Sequence, residues 1–131
     1  MVFFPQTHYL SLVIGRRRQC TPLQYSCLGC VSPDTASDEH RVTVVAQDTS
    51  SPYNGAFVKE LADLCEAKGI PFCLDLMVPH YGSDADVAMR AGFDARHGLV
   101  GPGVLETHSY ERTHRDALLN TARLLCALVE G

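Results

Sequence analysis

The sequence predicts an α/β fold, a three-layer, sandwich-type domain in which a mostly parallel sheet is flanked by helices. Three observations predict it. Val42-Thr43-Val44-Val45-Ala46 is a β-branched run of the kind buried on both faces of a sheet. Apolar residues then recur at helical spacing, first around Phe57, Leu61, Leu64 and Cys65, later around Leu118, Ala122, Leu125 and Val129. Glycine and proline punctuate the boundaries at Lys68-Gly69, Ile70-Pro71, Gly92 and Gly101-Pro102-Gly103. The resulting order is strand, helix, strand, helix, strand, helix, which a layered α/β domain generates.

Residues 1–30 form a poorly defined N-terminal segment. Pro5, Gly15, Pro22 and Gly29 interrupt it, and only the short run 10–14 offers a strand. Residues 31–131 carry the domain proper. They open with a polar, turn-like stretch over 34–40. A strand over 42–46 follows, closed by Ser50-Ser51-Pro52, and then a helix that ends at a basic last turn and a glycine cap, Lys68-Gly69. A second strand spans 72–77. A short helix spans 84–91, capped by Ser83 or Asp84 and stopped by Gly92, and a third strand spans 98–101. The last helix runs from Thr113 to about Val129, with Thr113 and Asp116 as its start signal. Its core face is expected to carry Leu118, Ala122, Leu125 and Val129, widened by Leu119 and Cys126. In a parallel sheet the loops 47–54, 78–86 and 101–111 would share the carboxyl edge, where ligands bind. The sheet is short for an α/β enzyme, so either the first third supplies more strands or the chain is part of a larger unit.

Composition narrows the function classes. With 131 residues the chain is one domain's worth. A hydrophobic content of 46% against 20% charged excludes a disordered or fibrous chain. A net charge of −4, with Arg16-Arg17-Arg18 as the one basic run, offers no nucleic-acid surface. Three of the six cysteines fall inside apolar patterns, which points to a reducing compartment. No apolar run approaches the ~20 residues of a membrane span, so a cytoplasmic protein without a membrane partner is expected.

The densest chemistry lies in residues 106–116, with two histidines, three carboxylates (Glu106, Glu111 and Asp116) and two arginines in eleven residues. His108, between Glu106 and Glu111 on a strand-to-helix loop, is the candidate metal ligand, since neutral imidazole binds zinc and carboxylates orient the ring. Its plain alternative is a surface histidine in a polar turn. Asp84 reads either as a helix cap or as an acid at the sheet edge. Cys27-Leu28-Gly29-Cys30 lacks the second ligand pair of a zinc site and the helix start of a redox motif. No phosphate loop, dinucleotide fingerprint or Gly-x-Ser-x-Gly elbow is present, which leaves a small nucleotide-binding domain as a minor reading.

From Val42 onward the chain resembles the C-terminal part of the cytosolic dinuclear metallo-aminopeptidases of the glutamyl and deblocking aminopeptidase family, apparently truncated. The resemblance rests on Val42 to Ala46 with Asp48-Thr-Ser-Ser-Pro-Tyr53, Tyr81-Gly-Ser-Asp-Ala85, Ala91-Gly92, and His108-Ser109-Tyr110-Glu111-Arg112-Thr113-His114. It implies that His108 is a metal ligand and that Glu111 and Asp84 stand close behind the site. A further carboxylate ligand is implied upstream of the first strand, for which Asp34 is the candidate and Asp48 the less well placed one. It implies removal of N-terminal residues from peptides, a divalent metal (zinc, cobalt or manganese), a peptide substrate and a homo-oligomer. The family's first metal histidine, bridging aspartate and adjacent glutamate pair have no counterpart here, and the chain has no Glu-Glu pair. The expectation is therefore a metal-dependent aminopeptidase-family hydrolase with little or no activity by itself. The alternative is a non-catalytic remnant that acts as a binding or oligomerisation module.

Overall fold

The computed structural model describes residues 2–5, 10–16, 19–25, 29–49, 51–76, 82–83, 87, 90–92, 96–105 and 110–131, and for residues 2–30 it describes the backbone. The order is β1 (Val2–Pro5), β2 (Leu10–Arg16), β3 (Gln19–Tyr25), β4 (Gly29–Cys30), β5 (Val42–Gln47), α1 (Gly55–Lys68), β6 (Phe72–Leu76), β7 (Gly98–Val104), β8 (Tyr110–Thr113) and α2 (Arg115–Glu130).

The main sheet runs β2-β3-β7-β5-β6, with β4 also on β7, and β1 pairs with β8 in a separate two-stranded ribbon. The sheet is mixed. β3, β4 and β6 pair in parallel with their neighbours β7, β7 and β5, whereas β2–β3 and β5–β7 are antiparallel. The first third thus supplies strands that its broken hydropathy hides. β2 and β3 form a ladder from Leu10 opposite Tyr25 to Arg16 opposite Gln19. Pro22, which has no amide hydrogen to give, sits opposite Val13 just before the stretch Leu23 to Tyr25 that joins β7.

β5, α1 and β6 make one strand–helix–strand unit with parallel strands, as the alternation predicts. Asn54 caps α1 by accepting from the Phe57 amide at 2.9 Å. Gly69 ends it in the left-handed region (φ 59°), where a side chain would be strained, and its amide reaches the Cys65 and Glu66 carbonyls. Val42, Val44 and Val45 meet Phe57, Leu61, Cys65, Leu99, Val100 and Leu124 in one core. Full burial of Phe57, Leu61, Leu99 and Leu124 stabilises by about 1.5–3 kcal/mol each. Both helices pack on each other and on β5, and α2 also packs on β7.

The third strand departs from the expected direction. β7 starts beside the end of β5, with Leu99 opposite Val45 and Pro102 opposite Val42. The connection from β6 therefore returns the chain at the edge it left, and β7 must run antiparallel to β5. As a consequence β7 ends at the edge opposite to the one where β5 ends, and the loop expected over 101–111 begins inside β7.

The start of α2 also differs. Thr113 is the last residue of β8, and its hydroxyl donates to the Gly103 carbonyl rather than capping a helix. The cap is His114, whose Nδ1 accepts from the Asp116 amide at 3.2 Å. The buried face of α2 carries Ala117, Asn120, Thr121, Leu124 and Ala127. The predicted stripe lies mostly off this face: Leu119 and Val129 are 51% and 60% exposed, Ala122 and Cys126 are exposed, and Leu118 and Leu125 are half-buried, Leu125 against the core. Small and polar residues face the sheet here because the helix lies close against β7, whose residues are all buried.

Candidate functional site

Polar groups gather at both ends of β7. At its start, the chain leaving β5 folds back so that the Tyr53 amide bonds the Ala46 carbonyl at 3.0 Å. Asp48, 1% exposed, accepts from the Ser51 amide at 3.1 Å and from the Tyr53 hydroxyl at 3.0 Å. The same hydroxyl lies 2.8 Å from Ser83 Oγ, whose own proton completes the second bond, since a carboxylate only accepts. His97 meets the Tyr53 ring edge-on at 5.1 Å. Asp48 therefore fixes the turn after β5 and, through Tyr53, ties it to Ser83.

At the far end of β7 the loop 31–41 crosses the strand. The Val31 amide bonds the Val104 carbonyl, the Gly103 amide bonds the Arg41 carbonyl, and the Asp38 backbone passes so close to Gly103 that no Cβ fits between them. Burial opposes ionisation of Asp38, yet the amides of His40 and Arg41 and the bonded Arg41 guanidinium outweigh it and hold the carboxyl below its usual range. Arg112 on β8 grips Glu39 Oε1 with Nε and Nη2 at 3.0 and 2.8 Å. The Glu39 carbonyl accepts from the His114 amide, and the His40 carbonyl from Asn120 Nδ2 at 3.0 Å. The His40 and His114 rings are thereby brought together, tilted by 43° with centroids 4.3 Å apart, and Asp116 Oδ2 lies 3.5 Å and 3.1 Å from their Nδ1 atoms.

Of the residues singled out from sequence, His108 and Asp84 lie outside the described residues. Glu111 is on β8, not at a helix start; it sits opposite Phe4 and is 4% exposed. Asp34 is exposed in a turn closed by Ser32 and Thr35. With Ala36, Ala46, Leu74, Asp75 and Leu76 it lines an open depression of about 510 Å³. The Asp75 carboxylate is held at its floor by the Ser37 amide and hydroxyl at 2.9 and 2.5 Å. Leu105, the last described residue before His108, bridges to Arg112 at the end of β7 remote from Asp48. The length of β7, on the order of 20 Å, lies between them.

The one group of three side chains among the described residues whose donors converge enough for a metal ion is His40, His114 and Asp116. Sequence reading placed His114 and Asp116 in a first helical turn but passed over His40, which lies 74 positions before His114 and shares no motif with it. A cocatalytic metal pair needs several converging carboxylates and imidazoles. Among the described residues Asp34 and Glu111 belong to no such group, so these residues by themselves do not fit a metal pair. The cysteines Cys65 and Cys73 are free and buried, and Cys126 is free and exposed. No helix among the described residues is long and apolar enough to cross a membrane.

Comparison with known proteins agrees with the fold. YhfE of Bacillus subtilis (strain 168), assigned as an aminopeptidase, is 41% identical over 104 residues, which is 79% of this chain and 30% of that protein. The chain therefore spans about a third of the length of this relative. Among solved structures, the aminopeptidase APDkam598 from Desulfurococcus kamchatkensis superposes with a TM-score of 0.70 at 19% identity, over 83% of this chain and 34% of that one. The Pyrococcus horikoshii TET1 peptidase, which can assemble into a tetrahedron or a large octahedral shell, gives 0.65 at 20% identity, over 83% and 31%. These two show the shared fold. Residues 28–124 match the M42 glutamyl aminopeptidase family, and the chain belongs to that family.

Proposed function

We propose that this chain carries the C-terminal portion of an M42-type metal-dependent aminopeptidase domain, acting at the N-terminus of peptides, and that it has little or no peptidase activity by itself. The observation that supports this reading is the family match over residues 28–124 in a chain whose described residues offer no donor set for a metal pair. In such hydrolases the metal ions polarise the scissile carbonyl and acidify a bound water. No step of that kind is assigned to the residues described here.

His108 is the proposed metal ligand of this portion, with Glu111 close behind it and Asp34 as the candidate carboxylate. Asp34 follows Val31, whose amide bonds the Val104 carbonyl at the end of β7, and in the sequence His108 comes three positions after Leu105. Asp48 is the less well placed carboxylate candidate, and in the structure it holds the turn at Tyr53 and Ser83. Asp84 is the other residue proposed to stand close behind the site. Zinc, cobalt or manganese is the proposed cofactor and the cytoplasm the proposed location.

The test is hydrolysis of a panel of aminoacyl fluorogenic peptides by the 131-residue chain with zinc, cobalt or manganese added. Turnover indistinguishable from blank is expected. Metal-dependent turnover abolished by His108→Ala would overturn the inactivity, and turnover that survives His108→Ala would overturn the ligand assignment as well.

A second reading, a binding or oligomerisation module, is favoured by the apolar groups left on the surface. Leu74 and Leu76 on β6 are 48% and 57% exposed, and Leu119 and Val129 are exposed on α2. Sedimentation of the purified chain separates the readings: concentration-dependent association supports the module, and a monomer at all concentrations argues against it.

A further inference from the structure

We propose that His40, His114 and Asp116 form a mononuclear site for a zinc-type divalent ion, separate from the ligand set assigned to His108. The geometry carries the proposal. In a tetrahedral zinc site with bonds of about 2.0–2.1 Å, neighbouring donor atoms stand about 3.3 Å apart. Asp116 Oδ2 lies 3.1 Å from His114 Nδ1 and 3.5 Å from His40 Nδ1, so the separations bracket that value. The donors of the three residues all lie within 4.8 Å of one another. Two imidazoles and one carboxylate are a borderline donor set that suits zinc, cobalt or nickel better than calcium or magnesium.

The backbone that carries the two imidazoles is held in place before any ion arrives. The His40 amide is bound by Asp38 Oδ1 at 2.7 Å and its carbonyl by Asn120 Nδ2 at 3.0 Å. The His114 amide is bound by the Glu39 carbonyl at 3.2 Å, and Glu39 itself is gripped by Arg112. Two backbone segments far apart in sequence are thus clamped so that their imidazoles face one carboxylate, which lowers the reorganisation that metal binding requires. The His40 side chain is 61% exposed and those of His114 and Asp116 are 38% and 48% exposed. An ion would be reached from solvent and would keep an open coordination position for water.

Two effects oppose binding and set its strength. The Nδ1 lone pair of His114 already accepts from the Asp116 amide, so coordination through Nδ1 releases that amide to solvent. The positive end of α2 also repels a cation, and the Asp116 charge counters it. The site is therefore expected to bind zinc reversibly rather than to require it for folding.

The test is a zinc titration of the full chain by calorimetry, with histidine ring resonances followed by NMR. Wild type, His40→Ala, Asp116→Asn, His108→Ala and Cys27→Ser/Cys30→Ser are run side by side. His40→Ala removes an exposed ring and leaves the cap intact, and thermal melting without metal checks that each variant folds. One zinc equivalent is expected to survive in His108→Ala and in the cysteine variant. It should weaken at least about tenfold in His40→Ala and Asp116→Asn, with the His114 ring resonances no longer responding. His40→Cys, which restores a ligand, should recover binding. Zinc affinity unchanged by His40→Ala, or lost with His108 or with the cysteine pair instead, overturns the proposal.

Discussion

Replacing Gly103 by alanine tests the crossing of the loop 31–41 over β7. The added Cβ would overlap the Asp38 carbonyl oxygen and stand 2.5 Å from its carbon, distances that real Cβ atoms do not show. Both obstacles are backbone, so no rotamer change relieves them, and the loop must retreat by roughly 1.6 Å to bring the carbonyl oxygen from 1.8 Å to ordinary contact at 3.4 Å. Overpacking of this kind costs about 1–3 kcal/mol. The retreat also strains the Gly103 amide bond to Arg41 and the buried Thr113 bond to the Gly103 carbonyl, adding about 1 kcal/mol. A total of about 2–4 kcal/mol follows, which in a domain of this size lowers Tm by roughly 6–16 °C. The assay is thermal unfolding followed by circular dichroism, with Gly55→Ala as the control. Gly55 begins α1 with open space around its Cα, so alanine there is expected to be neutral or stabilising by up to about 1 kcal/mol. A Gly103→Ala protein that melts within 2 °C of wild type would refute the close crossing.

Two further predictions concern α1 and α2. Burial pushes the Cys65 thiol from 9.0 up to about 11, so between these values the unfolded chain loses a proton that the folded chain keeps. Stability linked to Cys65 is complete below pH 9 and falls as pH rises to about 11, by at most about 2–3 kcal/mol. Urea midpoints across that range should fall less steeply in Cys65→Ala, and equal slopes would contradict the assignment. His114→Ala should cost about 1 kcal/mol by removing the cap of α2, whereas His114→Asn should restore most of it. Equal midpoints for the two variants would show that the cap contributes nothing.

The strand over 42–47 and the helix after it were legible because each rule involved is local: β-branched residues, an apolar stripe, a basic last turn and a glycine at φ 59°. The direction of β7 was not, since direction depends on where the chain re-enters the sheet and no residue in Gly98–Val104 encodes that. Helix α2 has apolar residues nearly all round, so periodicity alone chose the wrong face, and Asn120 and Thr121 were passed over as core residues because they are polar. Both find partners inside: Asn120 on the His40 carbonyl, Thr121 on the Ala117 carbonyl. The same limit applies to the site. His108 was found from the dense run of ionisable residues over 106–116, but the His40, His114 and Asp116 cluster joins segments 74 residues apart and leaves no pattern in the sequence.

The position of β7 has a consequence for the order in which the protein is made. This strand is inserted between β3 and β5, yet it is synthesised after both, and after β6. Until residue 104 has left the ribosome the β2–β3 hairpin and the β5–α1–β6 unit have no strand to join them, and the inner edges of β3 and β5 stand open. Open edges of this kind are where chains pair wrongly with one another. A nascent chain halted before Gly98 would hold two half-sheets with matching vacancies, and the next copy's β5 could occupy the gap meant for β7. Slow translation through residues 77–97 would lengthen that exposure, while rapid completion of Gly98–Val104 would close it from within.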